Sequence, residues 1–248
     1  MADDADDDHP ASAVAIDDRH REREFLARAG GRDRTQAARV LSLDELCARR
    51  GEATVAVERW GLAALRGRLV ELSARGAAAT LTCAMELVIE AQTASEPVCW
   101  VTLAGATFYP PDAAESGVDL SALVVVHTPT VVIAARAAER VLRSGAFGLV
   151  ILDLCAPHTQ GAANDLSMAH QGRLVTLAQS HDAAVVCLTD KTEEATSLGS
   201  LVSLRVEALR ARGVIGEDGT RVLLRALKDK RRGPGWTRTL KVRGPAGF

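Results

Sequence analysis

Five short apolar segments alternate with segments of helical periodicity between residues 68 and 189. The apolar segments are residues 68–72, 97–103, 123–127, 147–154 and 183–189. Strands and helices that alternate at this spacing indicate right-handed βαβ crossovers and a parallel sheet. Because only 3% of the residues are aromatic, Ala, Val and Leu have to fill the core, which suits a sheet covered by helices. We therefore predict an α/β fold with a central, mostly parallel sheet flanked by helices.

The pattern changes after residue 190. Residues 200–210, 221–228 and 236–242 alternate with a period of two and are separated by turns that contain glycine. Such segments are typical of strands joined by tight turns. We expect all three to be antiparallel additions at the C-terminal end of the sheet.

The two ends of the chain differ in charge, although the net charge is only −2. Residues 1–20 are rich in Asp and have little to bury, which predicts a disordered acidic tail. Residues 21–60 are predicted to be a helical N-terminal segment, and residues 61–248 the core domain. No apolar run approaches the roughly 20 residues that a membrane-spanning helix needs. We therefore expect a cytoplasmic protein without a membrane segment.

The histidines and the five cysteines show no spacing typical of a metal site. Most of the cysteines lie inside apolar runs, which predicts small, buried and reduced side chains. The sequence therefore predicts no bound metal.

Several segments resemble the RecA-like superfamily, in the same order along the chain. Residues 69–72 look like the strand before the phosphate loop of that family, and residues 117–120 look like its Gly-Val-Asp segment. Residues 149–153 look like its Walker B strand, and residues 221–230 resemble its strand with a Lys-x-Lys motif. The resemblance extends from about residue 66 to the C-terminus and implies a RecA-like core.

The phosphate loop expected by this resemblance is degraded. A P-loop uses Gly for close approach of backbone N–H groups, Lys for the β and γ phosphates and Ser or Thr for Mg²⁺. Here the loop retains only Arg75, Gly76 and Thr80 as recognisable elements, and no lysine precedes Lys191 anywhere in the chain. Arg75 is a possible phosphate contact because guanidinium binds phosphate well.

Of the two acidic residues that the family uses for catalysis, one is missing here and one is retained. The Glu that serves the family as general base falls on Ala104 or Gly105, which cannot activate water. Asp153 stands where the Walker B Asp would hold Mg²⁺ through water, but it is equally compatible with a structural anchor at a strand end. We expect no cofactor and no catalysis, which would make the chain a pseudo-ATPase.

The acidic, short second loop at residues 191–198 and the Arg- and Ala-rich N-terminal segment make the chain similar to the ImuA family. ImuA proteins are accessory factors of SOS-induced translesion DNA synthesis. The resemblance implies a Y-family polymerase-like partner of ImuB type and, through it, an error-prone C-family polymerase. RecA is a further candidate partner. A SulA-like inhibitor of cell division and a cryptic NTPase stay open as alternatives.

The C-terminal segment carries a strip of basic residues, which we call the basic strip. Such a strip could follow a phosphate backbone, meet the acidic surface of a partner protein, or be a solvated face. Trp236 within it either stacks on an unpaired base or packs in the core. The residues predicted to contact DNA or a partner are Arg225, Lys228, Lys230, Arg231, Arg232, Trp236, Arg238 and Lys241.

Overall fold

A computed structural model describes residues 59–75, 78–106, 108–155, 166–211 and 220–242. All of them belong to one unit of the chain, Glu58–Phe248. The acidic tail predicted at residues 1–20, the helices predicted between residues 21 and 58, and Gly76 lie outside the described residues.

The described residues contain five α-helices and eight β-strands. The helices are α1 (Leu62–Leu65), α2 (Thr80–Thr93), α3 (Pro110–Ser116), α4 (Val131–Arg143) and α5 (Met168–Ser180). The strands are β1 (Arg68–Ser73), β2 (Val98–Leu103), β3 (Leu123–Thr128), β4 (Leu149–Asp153), β5 (Ala184–Thr189), β6 (Leu204–Ala211), β7 (Thr220–Asp229) and β8 (Thr237–Val242). Every strand predicted from the sequence is present, with ends shifted by a few residues.

The eight strands form one sheet in the order β3-β2-β4-β5-β1-β6-β7-β8. The first six strands of the chain pair in parallel, and β7 and β8 are antiparallel additions. The prediction of an α/β fold with a mostly parallel sheet and antiparallel strands at the C-terminal end is confirmed.

One detail of that prediction is wrong, because β6 is parallel to β1 rather than antiparallel. Period-two alternation identifies a strand but carries no information on its direction. A parallel partner requires a long crossover. The chain makes that crossover through residues 190–203, which connect β5 to β6 on the far side of β1.

Local sequence explains the ends of the helices. Thr130 caps α4 by accepting a hydrogen bond from the backbone N–H of Ile133, and Ser167 caps α5 in the same way through His170. Gly145 follows the end of α4 with a φ of 69°, a left-handed conformation that suits glycine. These signals place both helices as the sequence predicts.

The core has two layers, one on each side of the sheet. One layer packs α1, α2 and α3 against the sheet and contains all three tryptophans, Trp60, Trp100 and Trp236. The other packs α4 and α5 and consists of Ala, Val and Leu with few larger side chains. We refer to these as the α2 side and the α5 side. Among the described residues, no helix combines the length and apolar character needed to cross a membrane.

Candidate functional site

The parallel strands end together at one edge of the sheet, which we call the carboxyl edge. Asp153 is the last residue of β4, while Ala104 and Gly105 directly follow β2. The turn that contains Arg75 follows β1, and the loop that begins at Asp190 follows β5. Parallel α/β sheets commonly bind ligands at this edge. The fold thus gathers in one place the described residues that the resemblance assigns to a degraded ATP site.

The turn between β1 and α2 is held against β6. Ala79 donates its backbone N–H to the carbonyl oxygen of Ala208 at 3.0 Å, and Ala78 forms an isolated antiparallel bridge with Leu209. Thr80 then begins α2 and is buried. A phosphate loop binds its ligand through backbone N–H groups. The N–H of Ala79 is instead bonded within the protein, so this turn has one donor fewer for a phosphate.

Arg75 lies at the carboxyl edge but is already paired. Its Nε is 3.3 Å from Oδ1 of Asp190, and both side chains are 53% exposed. An exposed ion pair of this kind contributes little to stability. A phosphate that used Arg75 would nevertheless have to compete with the Asp190 carboxylate.

Asp153 is fully buried at the end of β4. The backbone N–H of Cys155 donates to its Oδ1 at 3.1 Å, and the Thr102 hydroxyl lies 3.4 Å from its Oδ2. Burial raises the pKa of Asp153 to about 6, against the lowering effect of these hydrogen bonds. The bond to Cys155 makes Asp153 the anchor of the turn that leaves β4, which is the structural role predicted for it as an alternative to Mg²⁺ binding.

A second polar cluster lies on the α5 side of the same edge, around the buried carboxylate of Glu71 in β1. This carboxylate accepts hydrogen bonds from the Thr189 hydroxyl at 3.1 Å, the Ser197 hydroxyl at 2.8 Å and the Leu198 N–H at 2.9 Å. Nε of Arg205 lies 3.8 Å from it. Glu71 therefore accepts three hydrogen bonds, two of them from the loop after β5, and Arg205 lies close to it.

Arg205 fastens the same loop from β6. Its guanidinium donates to the carbonyl oxygen of Thr192 at 2.7 Å and to that of Ala195. Nζ of Lys191 lies 3.7 Å from Glu71, so this lysine also points toward the buried carboxylate. The loop of residues 190–203 is consequently tied to the sheet by both its backbone and its side chains. This arrangement differs from a long, open DNA-binding loop.

The sequence analysis missed this cluster, although a signal was present. Glu71 interrupts an apolar strand, and Arg205 interrupts another. A charged residue inside a fully buried strand needs a partner. Pairing the two residues required knowledge that β6 lies beside β1, which the sequence does not provide.

The basic strip is divided by the sheet. In the antiparallel register Arg225 lies opposite Thr237 on the α5 side, and Lys241 lies opposite Arg221 on the same side. Arg238 lies opposite Leu224 on the α2 side, where it donates to the carbonyl oxygen of Trp60 at 2.7 Å. Basic residues that are neighbours in sequence thus face in opposite directions.

Arg225 is engaged by two carboxylates. It donates to Oε2 of Glu207 from Nε at 3.0 Å and from Nη2 at 2.6 Å, and it pairs with Glu193. The hydrogen bonds to Glu207 raise the pKa of Arg225 further. The contact with Glu193 also adds a further tie to the loop of residues 190–203.

The remaining basic residues gather at the opposite edge of the sheet, which we call the amino edge. Nζ of Lys228 donates to the carbonyl oxygen of Gly199 at 3.1 Å, and Nζ of Lys230 donates to that of Ser200. Burial lowers the pKa of Lys228, and the charge of Lys230 adds to the effect. Both lysines therefore bind backbone oxygens.

The basic turn, residues 230–232, is the most exposed part of the strip. Lys230 and Arg231 are exposed, and Arg232 is half-buried. Arg231 lies 3.4 Å from the carbonyl oxygens of Arg66 and Gly67, just before β1. The basic turn is therefore separated from Arg75 and Asp153 by the full length of the strands, so one ligand of ordinary size cannot contact both groups.

Trp236 is only 6% exposed and packs within the core on the α2 side. Its Nε1 donates to Oδ2 of Asp229 at 3.1 Å. Asp229 also forms a buried ion pair with Arg68, whose Nη2 lies 2.7 Å from its Oδ1. The burial of Trp236 favours the core interpretation over base stacking.

The structure agrees with the unreactive interpretation of the cysteines. Cys83, Cys99 and Cys187 are buried, and burial raises the pKa of each thiol, to about 12 for Cys83 and about 11 for Cys99. Cys47 lies outside the described residues. Within the part of the chain that the structure describes, no cluster of His, Cys, Asp and Glu has the arrangement of a metal site.

A scan against protein-family models and a search of curated proteins both find no match to this chain. Its function therefore has to be inferred from its own residues.

Proposed function

We propose that this chain is a RecA-like accessory protein of ImuA type that acts in translesion DNA synthesis without ATPase chemistry. Three of the segments that resemble the RecA-like superfamily form strands of the sheet. Residues 69–72 lie in β1, residues 149–153 form β4, and residues 221–228 lie in β7. Their place in a mostly parallel sheet supports the RecA-like assignment.

The observation that carries the proposal is that the cations at the carboxyl edge are already paired with carboxylates of the protein. Arg75 pairs with Asp190, and both Lys191 and Arg205 are directed at the buried carboxylate of Glu71. A nucleotide's phosphates need cations and backbone N–H groups that are free to turn toward them. Here each of these cations is already bonded within the protein, which favours a structural use of the former site.

The position of the family's general base also favours a protein without ATPase chemistry. Ala104 and Gly105 follow β2 where the family has its general base, and neither carries a group that can accept a proton. Residues 191–198, which resemble the family's second DNA-binding loop, are bound to Glu71 and Arg205. A protein that has given up both functions but kept the fold is suited to holding other proteins together.

The proposed partners are a Y-family polymerase-like protein of ImuB type and, through it, an error-prone C-family polymerase. RecA and DNA are secondary partners in this proposal. The basic turn at the amino edge offers an exposed positive surface for an anionic one, away from the carboxyl edge.

A binding experiment with purified proteins tests this function. The tagged full chain is immobilised and offered the ImuB-type protein of the same genome, with the tubulin-like division GTPase as a competitor, with and without ATP and Mg²⁺. We expect retention of the polymerase-like protein, equal in both conditions and unchanged in Asp153→Asn. Retention of the division GTPase alone would instead support a SulA-like inhibitor, and retention that requires ATP would support a cryptic NTPase.

A further inference from the structure

The exposed face of α4 carries arginines and aliphatic side chains and almost nothing else. Arg136, Arg140 and Arg143 are exposed, and Val132 and Ile133 in the first turn are 48% and 41% exposed. At 3.6 residues per turn, these five positions fall within an arc of roughly 100°. They form one continuous stripe, which we call the α4 stripe.

Among the described residues, the arginines of the α4 stripe have no carboxylate partner. None of the three forms an ion pair with a described residue. The single acidic residue of the helix, Glu139, borders the stripe and lies four residues before Arg143, but it is buried against α5, where Oε1 lies 2.6 Å from Nδ1 of His170 and 2.9 Å from Nε of Arg173. Helix faces that meet only water usually mix Glu with Lys or Arg at a spacing of four residues. The α4 stripe has no such balance.

The aliphatic residues extend beyond the helix. Val124 of the edge strand β3 is 47% exposed, and its register partner on β2, Cys99, belongs to the core layer on the α5 side. Val124 therefore lies on the same face of the sheet as α4. Exposed β-branched side chains beside unpaired arginines resemble the mixture found at protein interfaces, where Arg is enriched.

We propose that the α4 stripe is a docking site for an acidic helical segment of a partner protein. Aliphatic side chains of that segment cover Val132 and Ile133, and its carboxylates pair with the arginines. The stripe extends from Val132 to Arg143, about 16 Å along the helix, so a partner helix of three to four turns spans all of it. The proposal goes beyond the proposed function and does not depend on it.

A protein partner fits this surface better than nucleic acid does. The five residues of the stripe include no aromatic side chain on which a base could stack. Val132 and Ile133 gain nothing from a phosphate backbone, whereas contact with aliphatic side chains removes them from water. The partner segment therefore carries both acidic and aliphatic side chains.

The test uses a fluorescein-labelled helical peptide of about 16 residues with Glu at positions i, i+4 and i+7 and two Leu one turn away, binding to the full chain by anisotropy. A scrambled peptide of the same composition and an oligothymidylate of similar length are measured alongside. We expect the patterned peptide to bind at least fivefold more tightly than the scrambled one. The oligothymidylate should bind equally to wild type and to the α4 variants.

The variants distinguish peptide binding at the α4 stripe from a general effect of positive charge. R136Q/R140Q/R143Q should weaken peptide binding at least tenfold, since three ion pairs are lost, and V132Q/I133Q should weaken it severalfold. The matched control K230Q/R231Q/R232Q removes the same number of charges from the basic turn and should change the affinity by less than twofold. Gln has a helix propensity close to that of Arg, and thermal unfolding of each variant checks the fold.

Three outcomes would overturn the proposal. In the first, the patterned and scrambled peptides bind equally tightly. In the second, K230Q/R231Q/R232Q weakens peptide binding as much as R136Q/R140Q/R143Q does. In the third, neither peptide binds, and R136Q/R140Q/R143Q loses oligothymidylate binding. The last result would assign the surface to nucleic acid.

Discussion

Replacing Asp153 with asparagine removes a carboxyl group whose ionisation the folded protein resists. Burial raises the pKa of Asp153 to about 6, whereas an Asp in an unfolded chain titrates at about 3.9. Between these two values the folded protein holds a proton that the unfolded chain has released. The stability of the protein therefore falls as the pH rises through this range, and above it the wild type carries the full cost of a buried charge.

The size of the effect follows from the pKa difference. A difference of about 2 units corresponds to about 3 kcal/mol at pH 8, of which about half develops between pH 5 and pH 8. Asparagine has nearly the same shape and keeps an oxygen that can accept from the backbone N–H of Cys155. We therefore expect Asp153→Asn to raise the free energy of unfolding, and to raise it more at pH 8 than at pH 5.

Urea unfolding followed by circular dichroism at pH 5, 6, 7 and 8 measures this difference. Asp190→Asn is the matched control, because Asp190 is half-exposed at the same edge of the sheet. Its effect should stay within about 0.5 kcal/mol at every pH. The reasoning is refuted if Asp153→Asn is no more stable than the wild type at pH 8, or if its advantage does not depend on pH.

Three further predictions concern the buried cluster around Glu71, the basic turn and the turn that resembles a degraded phosphate loop. Glu71→Ala should lower the free energy of unfolding by about 3–5 kcal/mol because it leaves the buried Arg205 without its carboxylate, and Glu71→Gln should lower it by less. Urea unfolding measures both variants, and a loss below about 1 kcal/mol for Glu71→Ala contradicts the pairing of Glu71 with Arg205. Reversing Lys230, Arg231 and Arg232 to Glu should weaken binding of single-stranded DNA and flatten its log–log salt dependence by about two units, whereas an unchanged slope in a salt titration excludes phosphate contacts. Thr80→Lys should not produce ATP hydrolysis, since water activation is still absent, and phosphate release above the wild-type level would show that a general base exists.

Much of the fold could be predicted because burial constrains the residues strongly. β4 is buried on both faces, so its residues had to be apolar until Asp153 at the strand end, and the run is visible in the sequence. The edge strand β3 is half-exposed yet still reads as apolar, because Val124 remains in solvent. Pattern alone therefore found the strands but not which of them was at the edge.

The alternation of apolar and polar residues does not show in which direction a strand runs or which strands lie beside it. The parallel pairing of β6 with β1 depends on the path of residues 190–203, which has no periodicity of its own. Without that pairing, Glu71 and Arg205 could not be recognised as partners across adjacent strands. A polar cluster built from distant segments is fixed by topology rather than by local sequence.

The basic strip shows a related limit. Composition suggested one positive surface, but alternation along β8 places Arg238 and Lys241 on opposite sides of the sheet. Trp236 belongs to the core because its indole N–H finds a buried acceptor in Asp229. Local charge density indicates that basic residues are present, whereas the sheet decides which of them share a face.

Under the proposed function, the chain keeps a RecA-like architecture while its ATP site has become structural. Equilibrium binding of a fluorescent ATP analogue to the full chain, with Mg²⁺ present, tests this most directly. We expect no saturable binding at low micromolar concentrations, because Arg75, Lys191 and Arg205 are held by carboxylates and the turn after β1 lacks lysine. Saturable binding in that range, competed by unlabelled ATP and lost in Asp153→Asn, would contradict the account.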